Sequence, residues 1–154
     1  VGRSGNFRPA EVAVALELVD ERLARGDASG YRFLLAECKG RIAGYACYGR
    51  IPGTTGSYDL YWLVVAPAFQ GRGIGRTLLR AAEAAIRRAR GRTVYVDTSS
   101  LPQYERARRV YTGAGYELAA RLPDFYAPGD DKLVYARDLR PAARRPDSDG
   151  HNAA

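Results

Sequence analysis

Several residue types are scarce in this chain of 154 residues, and each scarcity closes off a class of protein. Methionine is absent, so Val1 is expected to follow further sequence rather than to be a translational start. Two cysteines cannot build a dense disulfide framework, and with the single histidine they make a poor ligand set, so no metal is expected. No apolar run approaches the ~18–20 residues of a membrane span. The first residues lack the charged, apolar and small-residue order of a secretory signal, which points to the cytoplasm and away from membranes. Lysine is nearly missing: Lys39 and Lys132 are the only two among 24 basic residues.

What is present fits one folded domain. Hydrophobic residues make up 46% and charged residues 27%, which excludes wholesale disorder. The length suits a single core. A net charge of +7 and a pI near 9.7 favour an anionic partner, meaning nucleic acid, anionic lipid or a phosphorylated cofactor.

Hydrophobic periodicity predicts a helix over 9–25, with Val12, Leu16, Val19 and Leu23 on one stripe and Gly26 as its stop. Tyr31 to Cys38 and Arg41 to Tyr48 read as a hairpin turning at Lys39-Gly40. Pairing Cys38 with Arg41 sets Cys47 opposite Arg32, so the two thiols are expected to stay free. Tyr58 to Val65 is the longest β-prone run. Ile74 to Arg90 follows as an amphipathic helix, its apolar stripe running from Ile74 to Ala89 and its polar stripe holding Arg76, Arg80, Glu83 and Arg87. Val94 to Val96 is a short buried strand, and Gln103 to Ala114 a second helix stopped by Gly115. Tyr116 to Leu122 and Lys132 to Leu139 close the domain as strands. Residues 140–154 read as a disordered tail. This order suits an α/β (α+β type) domain, a single mixed and mostly antiparallel sheet flanked by helices.

The most informative segment is Pro67 to Gly75, PAFQGRGIG, between the long strand and the long helix. Glycines at 71, 73 and 75 let the backbone turn tightly and aim its N–H groups at one point. The first turn of the helix adds unpaired donors and the positive end of its dipole. Such a turn binds phosphate or pyrophosphate, with Arg72 and Arg76 nearby. A P-loop would need Gly-Lys-Ser/Thr where Ile74-Gly75-Arg76 stands. A dinucleotide fold wants G-x-G-x-x-G rather than G-x-G-x-G, although Asp97 ends the next strand where a ribose-binding acid would be expected.

Gln70, Gly73 and Gly75 together resemble the Gln-x-x-Gly-x-Gly acetyl-CoA signature of the GNAT superfamily of N-acetyltransferases. Leu60 to Val65, Ala66-Pro67 and Leu78-Leu79 extend the likeness on both sides. Val110-Tyr111 before Gly115-Tyr116 is similar to the second recurring segment of that family. The resemblance covers about Tyr31 to Leu139. Members normally begin with a strand, and only Val1 to Phe7 precede the first helix, so within the single domain 1–139 that strand is expected to be truncated or missing.

The resemblance implies acetyl-CoA as cofactor and a primary amine as acceptor, attacked directly in a ternary complex. It places the pantetheine arm on the main chain of Leu63, Val64 and Val65, and the pyrophosphate on Gln70, Gly71, Arg72, Gly73, Ile74, Gly75 and Arg76. It implies Asp59 as general base, on the strand face shared by Tyr61, Leu63 and Val65, and Tyr111 as the acid for the departing thiolate. Asp59 also reads as a solvated strand-end acid, and Tyr111 as an ordinary core aromatic. Tyr61, Asp124, Tyr126, Asp130 and Asp131 are the candidate acceptor residues; the last four lie in or beside a loop whose carboxylates and aromatics suit a cationic amine. The acceptor is a small-molecule or protein amine, and the protein a monomer or homodimer. Other readings are an acyl-CoA-sensing or nucleic-acid-binding domain without catalysis, or an NAD-type oxidoreductase; the paired aromatic and basic signature of RNA readers is not evident.

Overall fold

The computed structural model describes residues 23–141. Of the helix expected over 9–25 only Leu23 to Arg25 fall within these residues, and they are helical. The segment before that helix and the expected tail beyond Pro141 lie outside the described residues.

Six strands form one sheet in the order β1-β2-β3-β4-β6-β5. Strands β1 (Tyr31–Cys38) and β2 (Arg41–Arg50) make the expected hairpin. Its two turn residues, Lys39 and Gly40, both have positive φ (49° and 73°), the backbone that a tight two-residue hairpin requires. Strand β3 (Ser57–Val65) pairs antiparallel with β2. Helix α1 (Ile74–Arg88) then carries the chain to β4 (Thr93–Ser99), which runs parallel to β3. A parallel neighbour needs such a crossover, whereas the other strand pairs are antiparallel. Helix α2 (Glu105–Gly113) leads into the closing hairpin of β5 (Glu117–Ala127) and β6 (Asp130–Asp138).

Both helices cover one face of the sheet. Leu78, Leu79, Ala82 and Ile86 of α1 meet Ala46, Tyr48, Leu60, Val94 and Val96 of the strands, joined by Tyr111, Tyr116 and Tyr135. Leu79 and Ile86 are fully buried, each contributing about 1.5–3 kcal/mol of hydrophobic stabilisation. Their spacing of seven residues is two helical turns, so α1 lays one continuous stripe on the sheet.

Three expectations need correction. First, Cys47 lies opposite Phe33 rather than Arg32, because an extra residue, Ala43, interrupts the β1–β2 register between Ala36 and Glu37. Both cysteines are nonetheless free. Second, a bulge in β3 changes which residues share a face. Leu60 pairs with Tyr48 and Trp62 with Cys47, so Tyr61 is an extra residue in the ladder. Leu63, opposite Ala46, therefore returns to the helix-covered face with Leu60. Asp59 and Tyr61 stay on the other face, where Tyr61 packs edge-on to Tyr31 (centroids 5.3 Å apart). Third, the expected acidic loop is largely strand: β5 runs to Ala127 and turns at Pro128-Gly129, with Pro123 to Tyr126 bulging opposite Asp131.

Candidate active site

The parallel pairing of β3 with β4 covers only Ser57 with Thr93, Tyr58 with Val94 and Asp59 with Tyr95. Beyond Asp59 the two strands run on to Val65 and Ser99 without further register, leaving a wedge-shaped gap in the sheet. The Ala66 N–H donates to the Ala43 carbonyl at 2.8 Å, continuing the β2–β3 ladder. Hydrogen-bonded pairs alternate along an antiparallel ladder, so Val64 faces β2 as Ala66 does. The N–H and C=O groups of Leu63 and Val65 therefore point the other way, into the gap.

At the wide end of the gap stands the glycine-rich turn. Gly71 and Gly73 have φ of 77° and 78°, a left-handed backbone that side chains rarely adopt. Gly73 is the N-cap of α1 and has no side-chain cap. The first-turn N–H groups of α1 have no intrahelical acceptor, and that turn holds no acidic residue. A Cβ built at Gly71 or Gly73 would meet nothing within 4 Å, so a phosphate can approach the bare backbone there. The residues present thus fit a pyrophosphate group. Gln70 braces the arrangement: its amide donates to the Val65 carbonyl at 3.3 Å, while its oxygen accepts from Arg106 of α2 at 2.8 Å. Arg41 and Arg72 both lie over the ring of buried Phe69, 5.5 Å from its centroid. Arg76 reaches the Gly113 carbonyl at 3.4 Å.

Asp59 sits where the β3–β4 pairing ends, half-buried on the face away from the helices. Burial first and the nearby Asp97 second push its carboxyl above the ordinary value, while Lys132 pulls the other way. A carboxylate in this setting holds a proton more readily than a solvated one, as a base must. Tyr61 beside it is pushed up to about 12, mainly by burial and then by the Asp59 charge. Tyr111 is on the opposite, helix-covered face, packed between Tyr116 and Tyr135 at centroid distances of 6.0 and 6.2 Å. Burial raises its pKa, so the phenol keeps its proton.

A model of the acetyltransferase (GNAT) domain matches residues 29–118. The chain belongs to the GNAT acetyltransferase family. A GNAT-family protein from Desulfovibrio desulfuricans is similar in structure, with a TM-score of 0.86 and 45% identity, covering 90% of this chain and 87% of that one. The N-alpha-acetyltransferase RimI of Mycobacterium tuberculosis is 32% identical over 105 residues, which span 67% of this chain and 63% of that relative. The yncA protein of Salmonella typhimurium, solved with its cofactor acetyl-CoA, shares the fold at a TM-score of 0.67 and 24% identity, covering 88% of this chain and 78% of that one.

Within this GNAT domain the acids of the closing hairpin are engaged by the hairpin itself and by the end of β4. Asp131 accepts from Arg121 at 2.5 Å and from the Asp124 N–H at 2.9 Å. Asp124, at a positive φ of 52°, accepts from the Gly129 N–H at 2.7 Å. Asp130 is almost fully buried and accepts from the Ser99 hydroxyl. Tyr126 is exposed and lies edge-on to Phe125. Asp97, weighed above as a ribose-binding acid, instead pairs with Lys132 at 2.9 Å on the face of Asp59.

Sequence reasoning missed two features. Glu83 belongs to the polar stripe of α1 by spacing, yet it is 2% exposed and pairs with Arg137 of β6 at 2.7 Å. The Asp97–Lys132 pair joins residues far apart in sequence. Neither has a local signal, since each partner arrives from another strand or helix. Among the described residues no cluster of His, Cys, Asp or Glu could hold a metal, and no helix is long and apolar enough to cross a membrane.

Proposed function

We propose that this GNAT domain is an acetyl-CoA-dependent N-acetyltransferase that transfers the acetyl group to a primary amine, cationic before reaction, by direct attack in a ternary complex. The observation that carries this reading is the β3–β4 gap, with a bare-backbone phosphate nest at its wide end and Asp59 at its apex. Gly71 to Arg76 would hold the pyrophosphate through main-chain N–H groups, aided by Arg72. Leu63 and Val65 present the main-chain groups for the pantetheine arm and one N–H for the thioester oxygen; Val64 turns its own toward β2. Acetyl-CoA, when bound, supplies an activated acetyl thioester.

Asp59 would take the ammonium proton, through a water where its short side chain falls short. Tyr111, protonated because it is buried, would donate to the sulfur that leaves. The acceptor class follows from proton affinities. An α-amino group has a pKa of about 7.7–8.0 and a lysine amine about 10.4, so an N-terminal amine asks less of a carboxylate base. The name of the RimI relative favours the same class. Tyr61 and Tyr126 would line the acceptor path, whereas Asp124, Asp130 and Asp131 would shape it by holding the closing hairpin.

The test is an intact-mass screen with acetyl-CoA and four acceptors: a peptide with free N-terminal alanine, spermidine, an aminoglycoside and glutamate. The peptide should gain one acetyl group fastest, with a rate that falls as salt rises. Preference for glutamate, or acetylation of no amine, would refute the reading.

A further inference from the structure

Asp97 and Lys132 have no part in the chemistry proposed above, yet they stand beside its base. In the parallel β3–β4 register Asp59 lies next to Tyr95, and Asp97 is two residues further along β4 on the same face, about 7 Å on at the rise of a strand. Lys132, on β6 opposite Ser99, reaches back to Asp97 with a 2.9 Å ion pair. Its ammonium also lies 4.7 Å from the centroid of the Phe125 ring, on the bulged part of β5. Two contacts from different elements therefore fix the ammonium over this face. The chain has only one other lysine, Lys39, in the β1–β2 turn.

We propose that Asp97 and Lys132 act as a pair of positioning residues for Asp59, the lysine neutralising Asp97 so that one net negative charge faces the incoming amine. This role rests on Asp59 being the base of the proposed acetyl transfer. Without Lys132, two carboxylates at the narrow end of the gap would favour sharing a proton, and a base that is already protonated cannot take one from the acceptor. Without Asp97, the freed ammonium would act on Asp59 at full strength and compete with the acceptor for it. The remaining polar groups on this face do not duplicate the effect. Among the described residues they are the phenols Tyr61 of β3, Tyr31 of β1 and Tyr95 of β4, together with Tyr45 and the Cys47 thiol of β2. Burial pushes Tyr45 and Cys47 up to about 12, so they stay neutral. Asp138, at the far end of β6, is paired with Arg140, and Glu117 lies on the edge strand β5 beyond β6. The direction in which Asp97 and Lys132 each shift Asp59 agrees with the geometry.

One consequence concerns the acceptor. A cluster of two carboxylates and one ammonium is matched by a single positive charge, so a monocationic amine end suits it better than a polyamine. Replacing Lys132 by a neutral residue should reverse that preference.

The test uses the full chain with selectively labelled aspartate, following the Asp59 carboxyl by carbon NMR as pH is varied. The titration midpoint should rise in Lys132→Met, fall in Asp97→Asn and stay near wild type in Lys132→Arg, which keeps the charge. Rates with the alanine peptide should follow: the ratio of kcat/KM at pH 6 to that at pH 8 falls at least about threefold in Lys132→Met and rises in Asp97→Asn. KM for spermidine relative to the peptide should fall in Lys132→Met. Midpoints that stay put in an active enzyme, or that move the same way in both variants, would overturn the role of the pair alone. An inactive wild type with any set of midpoints would overturn the proposed function, and this role with it.

Discussion

Replacing Gly73 by aspartate separates cofactor binding from folding. The wild-type residue has φ of 78°, and a Cβ there meets no protein atom within 4 Å. The folded protein thus incurs only the left-handed backbone strain, about 1–2 kcal/mol and less for aspartate, which tolerates that region. An aspartate at an N-cap can also accept from the first-turn N–H groups of α1, offsetting part of this cost. The melting temperature should therefore fall by no more than about 2–8 °C. Binding should respond far more strongly. A carboxylate about 4 Å from a phosphate charge costs about 1 kcal/mol in bulk water and about 4 kcal/mol at the effective dielectric of a protein surface. That range corresponds to a loss of about 5- to 1000-fold in acetyl-CoA affinity, before any steric effect. Isothermal titration of both proteins with acetyl-CoA reads the change, and circular dichroism reports the fold. Unchanged affinity in a folded Gly73→Asp variant would refute the phosphate nest.

Tyr111→Phe keeps the packing against Tyr116 and Tyr135 and deletes the hydroxyl, so turnover should fall about 10²–10⁴-fold with little change in melting temperature; a change within about twofold would make Tyr111 a core aromatic. Asp59 must lose its proton to act, and its pKa is raised, so activity should climb as pH passes through that value. Asp59→Asn should lower the rate and flatten this climb in a pH profile of kcat/KM. The Asp131 carboxyl is held below the usual range, first by the Asp124 N–H and then by Arg121. Its contribution to the hairpin is complete above the ordinary carboxylate pKa of about 3.9 and lost as pH falls through the lower folded value. Asp131→Asn should accordingly flatten the acid limb of Tm against pH. Arg137→Met leaves the buried Glu83 charge uncompensated and should destabilise by about 3 kcal/mol in a urea titration, with Glu83→Gln costing less because Arg137 can turn to water.

Much of the fold is local enough to be legible in the sequence. The Lys39-Gly40 turn, the stripe of α1 and the strand–glycine–helix order follow from periodicity and from residues with special backbone preferences. Bulges do not announce themselves. Ala43 and Tyr61 are single extra residues in strands apolar on both faces, so the sequence pattern tolerates either register while the side chains beyond each bulge change sides. The Pro- and Asp-rich run before Gly129 looks like a loop, yet a positive φ at Asp124 and a wide bulge let β5 pass through it. The nest was readable from glycine spacing because the backbone itself forms it. The surroundings of Asp59 were not, because Asp97 and Lys132 reach it only once β3, β4 and β6 lie side by side.

The central claim is tested most directly by mixing the wild-type protein with acetyl-CoA labelled in its acetyl carbons and a peptide with free N-terminal alanine, then measuring peptide mass and released thiol in the same sample. The account predicts one labelled acetyl group on the peptide amine for each thiol released, at a rate that drops when Asp59 becomes asparagine. Thiol released without an acetylated amine, or a peptide left unmodified while acetyl-CoA stays intact, would contradict it.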